Sequence, residues 1–457
     1  MPLLSGSSSE DAPPPRVGPG AYAAAAGPLA FTFGSWFTWT AVGVAFPVLG
    51  LFLIASAGSL AAATYETLPV LATTHIATLG WVTLTIMGGA MQMAPALLGA
   101  RVRGERLVPG QYGLFAFSVL VMLAGFLRGQ FVVVAAGGAG VNLASWWFIA
   151  IIASTIAAAG EKRSVVSPHI PVAVLCFALV LLWGTLLAAN LRWAFWPALF
   201  IGHRGLIIHL TLGLGGWFGL MVVGTFYRLV PIMHGARVAS ARRGWAILYL
   251  GVLAVAGALG GVGSGAVWML HAAALLAAGG LVLFASEVLH VLAHRRSRAP
   301  DLNVSHWYAV VAYSAALACA GVGWGAGWLQ SDPASRLGEC VVVLFLLGWV
   351  TQAILGQLYK VTPFLMWYYR ATIPDVAAIP RQPAPYNPRP GRVALVLSNA
   401  GVACLVGGIW TGAAGLAVVG AVQWATAALI VTYMLAYRWI PSAISGALVF
   451  EWRWRIS

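Results

Sequence analysis

The residues of this chain best suited to chemistry are its nine histidines. A neutral imidazole is the commonest protein ligand for transition metals and a common axial ligand for haem. His75, His203, His209 and His271 fall near one end of long apolar runs. His169, His234, His290, His294 and His306 fall near the opposite end, where arginines gather. A polar ring inside an apolar segment costs energy unless it has a partner. Each is therefore either a ligand or a packing residue bonded to a neighbouring helix. His75 and His209 are the leading candidates for a cofactor or metal ligand, followed by His203 and His271. His203 and His209 stand six residues apart, which turns them about 240° from each other at about 100° per residue, so only one of the two is expected to face inward. His203, beside Arg204, reads as interfacial.

Other patterns carry weaker chemistry. Glu287, His290 and His294 share a helical face at spacings of three and four, which suits a metal or a proton relay. The plain alternative is the wet end of a helix. Arg228 and Lys360, with Gln92 at the matching place, suggest an inner ion or proton path, or long side chains reaching for the interface. Met87, Met91 and Met93 offer soft sulfur for copper, or simple core filling. The cysteines (Cys176, Cys319, Cys340 and Cys404) form no CxxC and read as small buried hydrophobes. No P-loop, dinucleotide fingerprint, nucleophile elbow or HExxH occurs in a usable context, so the sequence leaves open whether the chain is an enzyme.

The elements that must position these residues are membrane helices. The chain has 457 residues, 61% hydrophobic and only 8% charged, against about 25% charged in soluble domains. Twelve apolar runs are long enough to span a bilayer, at about 34–58, 70–98, 111–127, 131–158, 170–190, 205–232, 244–263, 266–292, 306–327, 339–365, 392–411 and 415–438. None alternates with period two, so each predicts a helix. Of 25 Lys and Arg, nineteen fall in the even-numbered loops and the termini, four (Arg128, Arg192, Arg204 and Arg336) in the odd-numbered loops, and two, Arg228 and Lys360, at the inner ends of spans. This asymmetry predicts an inner-membrane protein with both termini in the cytoplasm. It also accounts for the net charge of +14 without nucleic acid as a partner; the expected partner is the lipid bilayer. Residues 1–30, opening with a Ser/Pro/Gly-rich stretch, predict a disordered tail, 31–440 a single membrane domain, and 441–457 a second cytoplasmic tail.

One helix is written three times. "LGWVTLTIMGGAMQMAP" (79–95), "GGWFGLMVVGTFYRLVP" (215–231) and "LGWVTQAILGQLYKVTP" (347–363) align without gaps. Gly80, Gly216 and Gly348 match, as do Trp81, Trp217 and Trp349. Gly88, Gly224 and Gly356 match too, and so do Pro95, Pro231 and Pro363. The copies lie in the second, sixth and tenth spans, which predicts an all-α bundle of about twelve helices in three four-helix pseudo-repeats. Within each copy Trp, Gly and Pro recur every seven residues, on one helical face. The glycine permits close approach of a neighbouring helix, and the proline is expected to end or kink the helix.

This pattern resembles subunit I of the haem-copper oxidase and nitric-oxide reductase superfamily over about residues 34–438. In that family the second helix carries a haem-ligating His near the outer face, then a glycine-rich run and a Pro-x-x-x-Gly close. Here "HIATLGWVTLTIMGGAMQMAPALLG" supplies His75, Pro95 and Gly99. The resemblance implies haem b, with copper as a further cofactor, and other membrane or cytochrome subunits as partners. The departures are large. The tenth span has no His, where the family places two haem ligands, and the seventh has none, where the family places a copper-binding pair. A divergent relative is implied, similar to the NnrS-type haem- or metal-binding membrane proteins, although their opening motif is absent. The expected role is a haem- or metal-binding membrane protein without the full haem-copper site, acting in nitric-oxide or copper stress handling or in electron transfer. Two alternatives stand beside it. Arg228, Lys360 and Glu287 suit a transporter or permease, although many transporter repeats are inverted or come as two halves. The missing histidines suit a non-catalytic assembly or structural subunit.

Overall fold

In lipid every backbone amide and carbonyl must be satisfied within the segment, so apolar runs of this length become helices. The computed structural model describes residues 28–98, 101–159, 167–199, 201–299, 301–328, 336–371 and 388–437. The two expected tails, apart from residues 28–30, lie outside these, as does Gly99. Twelve helices are long and apolar enough to cross a membrane: α1 (Gly34–Ala61), α2 (Leu68–Met93), α3 (Glu105–Leu127), α4 (Phe131–Ala158), α5 (His169–Trp193), α6 (Arg204–His234), α7 (Ala241–Ser264), α8 (Val267–Ala293), α9 (Leu302–Gly325), α10 (Arg336–Pro363), α11 (Pro388–Thr411) and α12 (Ala414–Ala436). The described residues contain no strand. The expected spans are borne out, with ends displaced by a few residues.

Consecutive helices pack as antiparallel neighbours, and α12 returns to pack along α1. Burial is uneven. In their most apolar windows α2 and α10 are 61% and 67% buried, α6 only 39%, and α7 and α8 only 28% and 22%. Thus α2 and α10 form the interior, and α7 and α8 turn most of their surface outward.

Wide π-helical turns, which 3.6-residue periodicity does not anticipate, occur in five of the described helices: short ones in α1 (Ala41–Ala45) and at the end of α12 (Tyr433–Tyr437), and longer ones in the three motif helices. The longer turns occupy Ile76–Thr83 in α2, Thr211–Gly219 in α6 and Leu344–Val350 in α10. These are the same columns of the written-thrice motif. The turn of α10 touches those of both α2 and α6. Each turn carries one of the motif tryptophans, and Trp81, Trp217 and Trp349 are all fully buried.

The packing of each preceding helix is equally regular. A methyl group added at Gly88 would meet Thr38 of α1 at 2.6 Å, one at Gly224 would meet His169 of α5 at 3.1 Å, and one at Gly356 would meet His306 of α9 at 3.0 Å. Seven residues further along those same helices, Ala45, Cys176 and Tyr313 lie against Gly80, Gly216 and Gly348 at 3.2, 2.6 and 2.5 Å. One residue beyond, Phe46 and Phe177 lie against Trp81 and Trp217 with ring centroids 4.1 and 4.2 Å apart, and Ser314 accepts the Trp349 indole hydrogen at 2.8 Å. Glycine at these six places lets two helix backbones approach where any side chain would push them apart.

The prolines do not end their helices. The helix continues to His234 after Pro231 and to Ala371 after Pro363. About one turn follows Pro231 and about two follow Pro363, and each proline removes a hydrogen bond without ending its helix.

Candidate functional site

The opposite ends of the bundle treat histidine differently. At the end away from the arginines, His75 lies on α2 immediately before the wide turn. Its Nδ1 is 2.7 Å from the Leu71 carbonyl oxygen, an acceptor only, so Nδ1–H donates and the proton resides there. The lone pair of Nε2 is therefore available to a ligand, the arrangement that orients metal-bound histidines. The ring lies against Phe126 of α3, centroids 4.8 Å apart. His209 lies on α6, two residues before its wide turn. Its ring packs over Gly184 of α5, where an added methyl would come within 2.9 Å of Cε1. Its Nδ1 is sealed from solvent and has no hydrogen-bond partner. The two imidazoles lie close enough for the charge of one to bear on the other. Both rings are half-buried.

His203 goes elsewhere. It starts α6 with φ of +57°, a left-handed conformation that His adopts more readily than most residues. Its Nδ1 is hydrogen-bonded to the hydroxyl of Tyr65, from the α1–α2 loop. That hydroxyl donates to Glu66 Oε1 at 2.9 Å, so it accepts from His203. The bond ties the α1–α2 loop to the start of α6. Glu339 of α10 is buried nearby, with the Tyr65 backbone amide and the Arg336 guanidinium as polar neighbours. His271 packs edge-on to Trp324 in the α8–α9 hairpin, centroids 5.3 Å apart.

At the arginine-rich end the polar groups are absorbed into pairs. Glu287, fully buried, accepts from the Ala239 amide at 2.7 Å and the Arg243 guanidinium at 3.3 Å. Lys360 Nζ lies 2.5 Å from Asp301. His234 Nε2 bonds Asn303 Oδ1 at 2.7 Å, and Asn303 in turn donates to the Gly356 carbonyl at 2.6 Å. His290 and His294 stack on each other with centroids 4.2 Å apart. Arg228 is half-buried, its Nε without a partner. His169 stacks on Tyr227, and His306 stacks on Tyr359. These two pairs occupy matching places in the α5–α6 and α9–α10 packings. His306 Nδ1 donates to Gln352 Oε1 at 2.5 Å, and Gln352 donates to Ser398 at 3.1 Å.

Of the four histidines singled out in the sequence, His75 and His209 lie within electrostatic range of each other, and His203 and His271 stand in separate surroundings. Among the described residues no group of three or more His, Cys, Asp and Glu gathers to hold a metal ion. The donor set is thus two imidazoles. A bare zinc or copper ion takes three or four protein ligands, whereas haem brings four nitrogens of its own and needs one or two from the protein. The pair therefore fits haem better than a bare ion. The residues around it, Phe126 and Gly184, carry no sequence signal of their own. Glu339 does, as the sole acidic residue of its membrane span. No protein-family model matches the chain, and no curated protein matches it in sequence.

Proposed function

We propose that this chain is an integral membrane haem protein in which His75 of α2 and His209 of α6 would hold the haem. The observation that carries this reading is the placement of two imidazoles from different helices within electrostatic range of each other, one with its proton fixed on Nδ1 by a backbone carbonyl. Bound haem would supply reversible one-electron chemistry. The protein's own part is positional. Leu71 sets the tautomer of His75, Phe126 fixes its ring plane, and Gly184 leaves room for the ring of His209. With two histidines of the chain holding it, the haem would serve electron transfer. The resemblance to oxidase subunit I supports the reading, as do three wide turns and three sets of inter-helix contacts in matching columns. They argue for three four-helix units descended from one. In this reading the arginine-rich end faces the cytoplasm, as the distribution of positive charge requires.

The transporter reading has less to stand on. Two of its three charged residues are engaged, Lys360 with Asp301 and Glu287 with Arg243.

The test is an ultraviolet–visible spectrum of the detergent-purified protein, expressed with ample haem supply, oxidised and dithionite-reduced, with iron and copper measured on the same sample. A reduced α-band at near one haem per chain is expected, absent in His75→Ala and strongly reduced in His209→Ala. Protein with neither iron nor band overturns the proposal. Copper in place of iron would make the pair a copper site.

A further inference from the structure

The arginine-rich end is not uniform. The α6–α7 and α8–α9 loops are locked to each other: the Arg296 amide donates to the His234 carbonyl at 2.9 Å, and the Arg296 side chain lies 3.2 Å from a methyl built on Gly235. Between residues 205 and 301 the chain has two acidic residues, Glu287 and Asp301. Both are already engaged, the first by Arg243 and the second by Lys360. Arg237, Arg242, Arg296 and Arg298 are exposed on this joined platform, and among the described residues no ion pair engages them. Close to the platform α7 turns an apolar strip outward. Tyr249 and Leu253 are exposed, and Tyr249 stacks on Trp245 with centroids 5.7 Å apart. Arg242, Trp245, Tyr249 and Leu253 recur at spacings of three, four and four, so they share one face of α7. A positive platform at the membrane surface, continued by an aromatic and aliphatic strip along the same helix, matches a molecule with an anionic head and hydrocarbon tails.

We propose that the joined α6–α7 and α8–α9 loops form a binding site for an anionic glycerophospholipid, with Arg237, Arg242, Arg296 and Arg298 around its phosphate and the Trp245–Tyr249–Leu253 face of α7 along an acyl chain. Arginine suits this role because its planar guanidinium grips phosphate oxygens in pairs. The site is independent of the haem reading, since it uses other helices and the opposite end of the bundle.

The test uses the full-length protein, delipidated in mild detergent and titrated with dioleoylphosphatidylglycerol or dioleoylphosphatidylcholine under native mass spectrometry. Retention of phosphatidylglycerol over phosphatidylcholine is expected. The variant Arg237→Gln/Arg242→Gln/Arg296→Gln/Arg298→Gln should lose roughly tenfold or more in apparent affinity for the anionic lipid, since each arginine near a charged membrane surface contributes appreciably. The control Arg101→Gln/Arg103→Gln, in the α2–α3 loop, should retain it. Should the fourfold variant fail to fold, Arg237→Gln/Arg242→Gln gives a smaller loss in the same direction. Equal retention of the two lipids overturns the proposal. So does equal loss in the control, which would mean diffuse surface charge, or displacement of the lipid by millimolar inorganic phosphate, which would mean a small-anion site.

Discussion

Compare the surroundings of His75 at one end of the bundle with those of His306 at the other. Both rings have Nδ1 fixed by an oxygen acceptor, the Leu71 carbonyl for His75 and the Gln352 amide for His306. Both stack on an aromatic ring, Phe126 and Tyr359. A fixed tautomer with a free Nε2 therefore does not by itself make a ligand site. What differs is the company. His306 is fully buried, its Nε2 sealed without a partner, and its place is repeated by His169 against Tyr227. It belongs to the packing of the fold. His75 is half-buried and lies within electrostatic range of a second imidazole, His209 of another helix. The proposed site rests on that pairing.

That comparison can be broken in several ways. The largest effect separates the two ends by cofactor. His75→Ala is expected to abolish bound haem while His306→Ala leaves the haem-to-protein ratio unchanged, as read from the reduced α-band. Haem loss in both variants would erase the distinction. Next in size is Arg243→Met. It strands the Glu287 carboxylate, which is fully buried while Arg243 is about one-third exposed. Stranding a buried charge costs about 3–5 kcal/mol when both partners are buried; with Arg243 half in solvent and the Ala239 amide still donating, a loss of about 2 kcal/mol is expected, seen as a lowered thermal midpoint in detergent with the haem spectrum intact. His306→Ala leaves Gln352 without its donor and should cost about 1–2 kcal/mol, again without a spectral change. The smallest effect is Lys360→Met. Its pairing with Asp301 is partly exposed on both sides, and exposed ion pairs contribute at most about 1 kcal/mol. A large transport or stability defect from that variant would give the charged groups of this end a role beyond anchoring loops.

Much of the fold was legible because membrane helices advertise themselves. Twelve long apolar runs admit no other structure in lipid, and all twelve spans are present. The written-thrice motif pointed to α2, α6 and α10, and its glycines do mark close approaches of α1, α5 and α9. The candidate ligands His75 and His209 were also legible, as polar rings in apolar runs. Their nearness was not. In the repeat alignment His75 matches Thr211 and His209 matches Thr73, an offset of two residues or about 200° on a regular helix. Yet equivalent positions of repeated helices face equivalent places around the bundle, not one shared place. Two helices reach a common point between them through different faces, so the offset is compatible with their nearness. The wide turns add a second obstacle. Each inserts residues outside the 3.6-residue repeat, and the phase of His75 relative to Gly88 cannot be counted along the chain.

Glu287 shows the same division. From sequence it grouped with His290 and His294 on one helical face, a local pattern of three and four residues. In the structure its carboxylate turns instead to Ala239 and Arg243, more than forty residues earlier, because a buried charge must find a donor wherever the fold brings one. By itself, then, the sequence determined how many helices there are, which of them repeat, which end collects the positive charge and which histidines lie in apolar surroundings, since each of these depends on composition and spacing along one segment. Only the tertiary structure decided which histidine lies near which, which charges cancel and which arginines stay exposed, since those depend on distances between helices far apart in the chain.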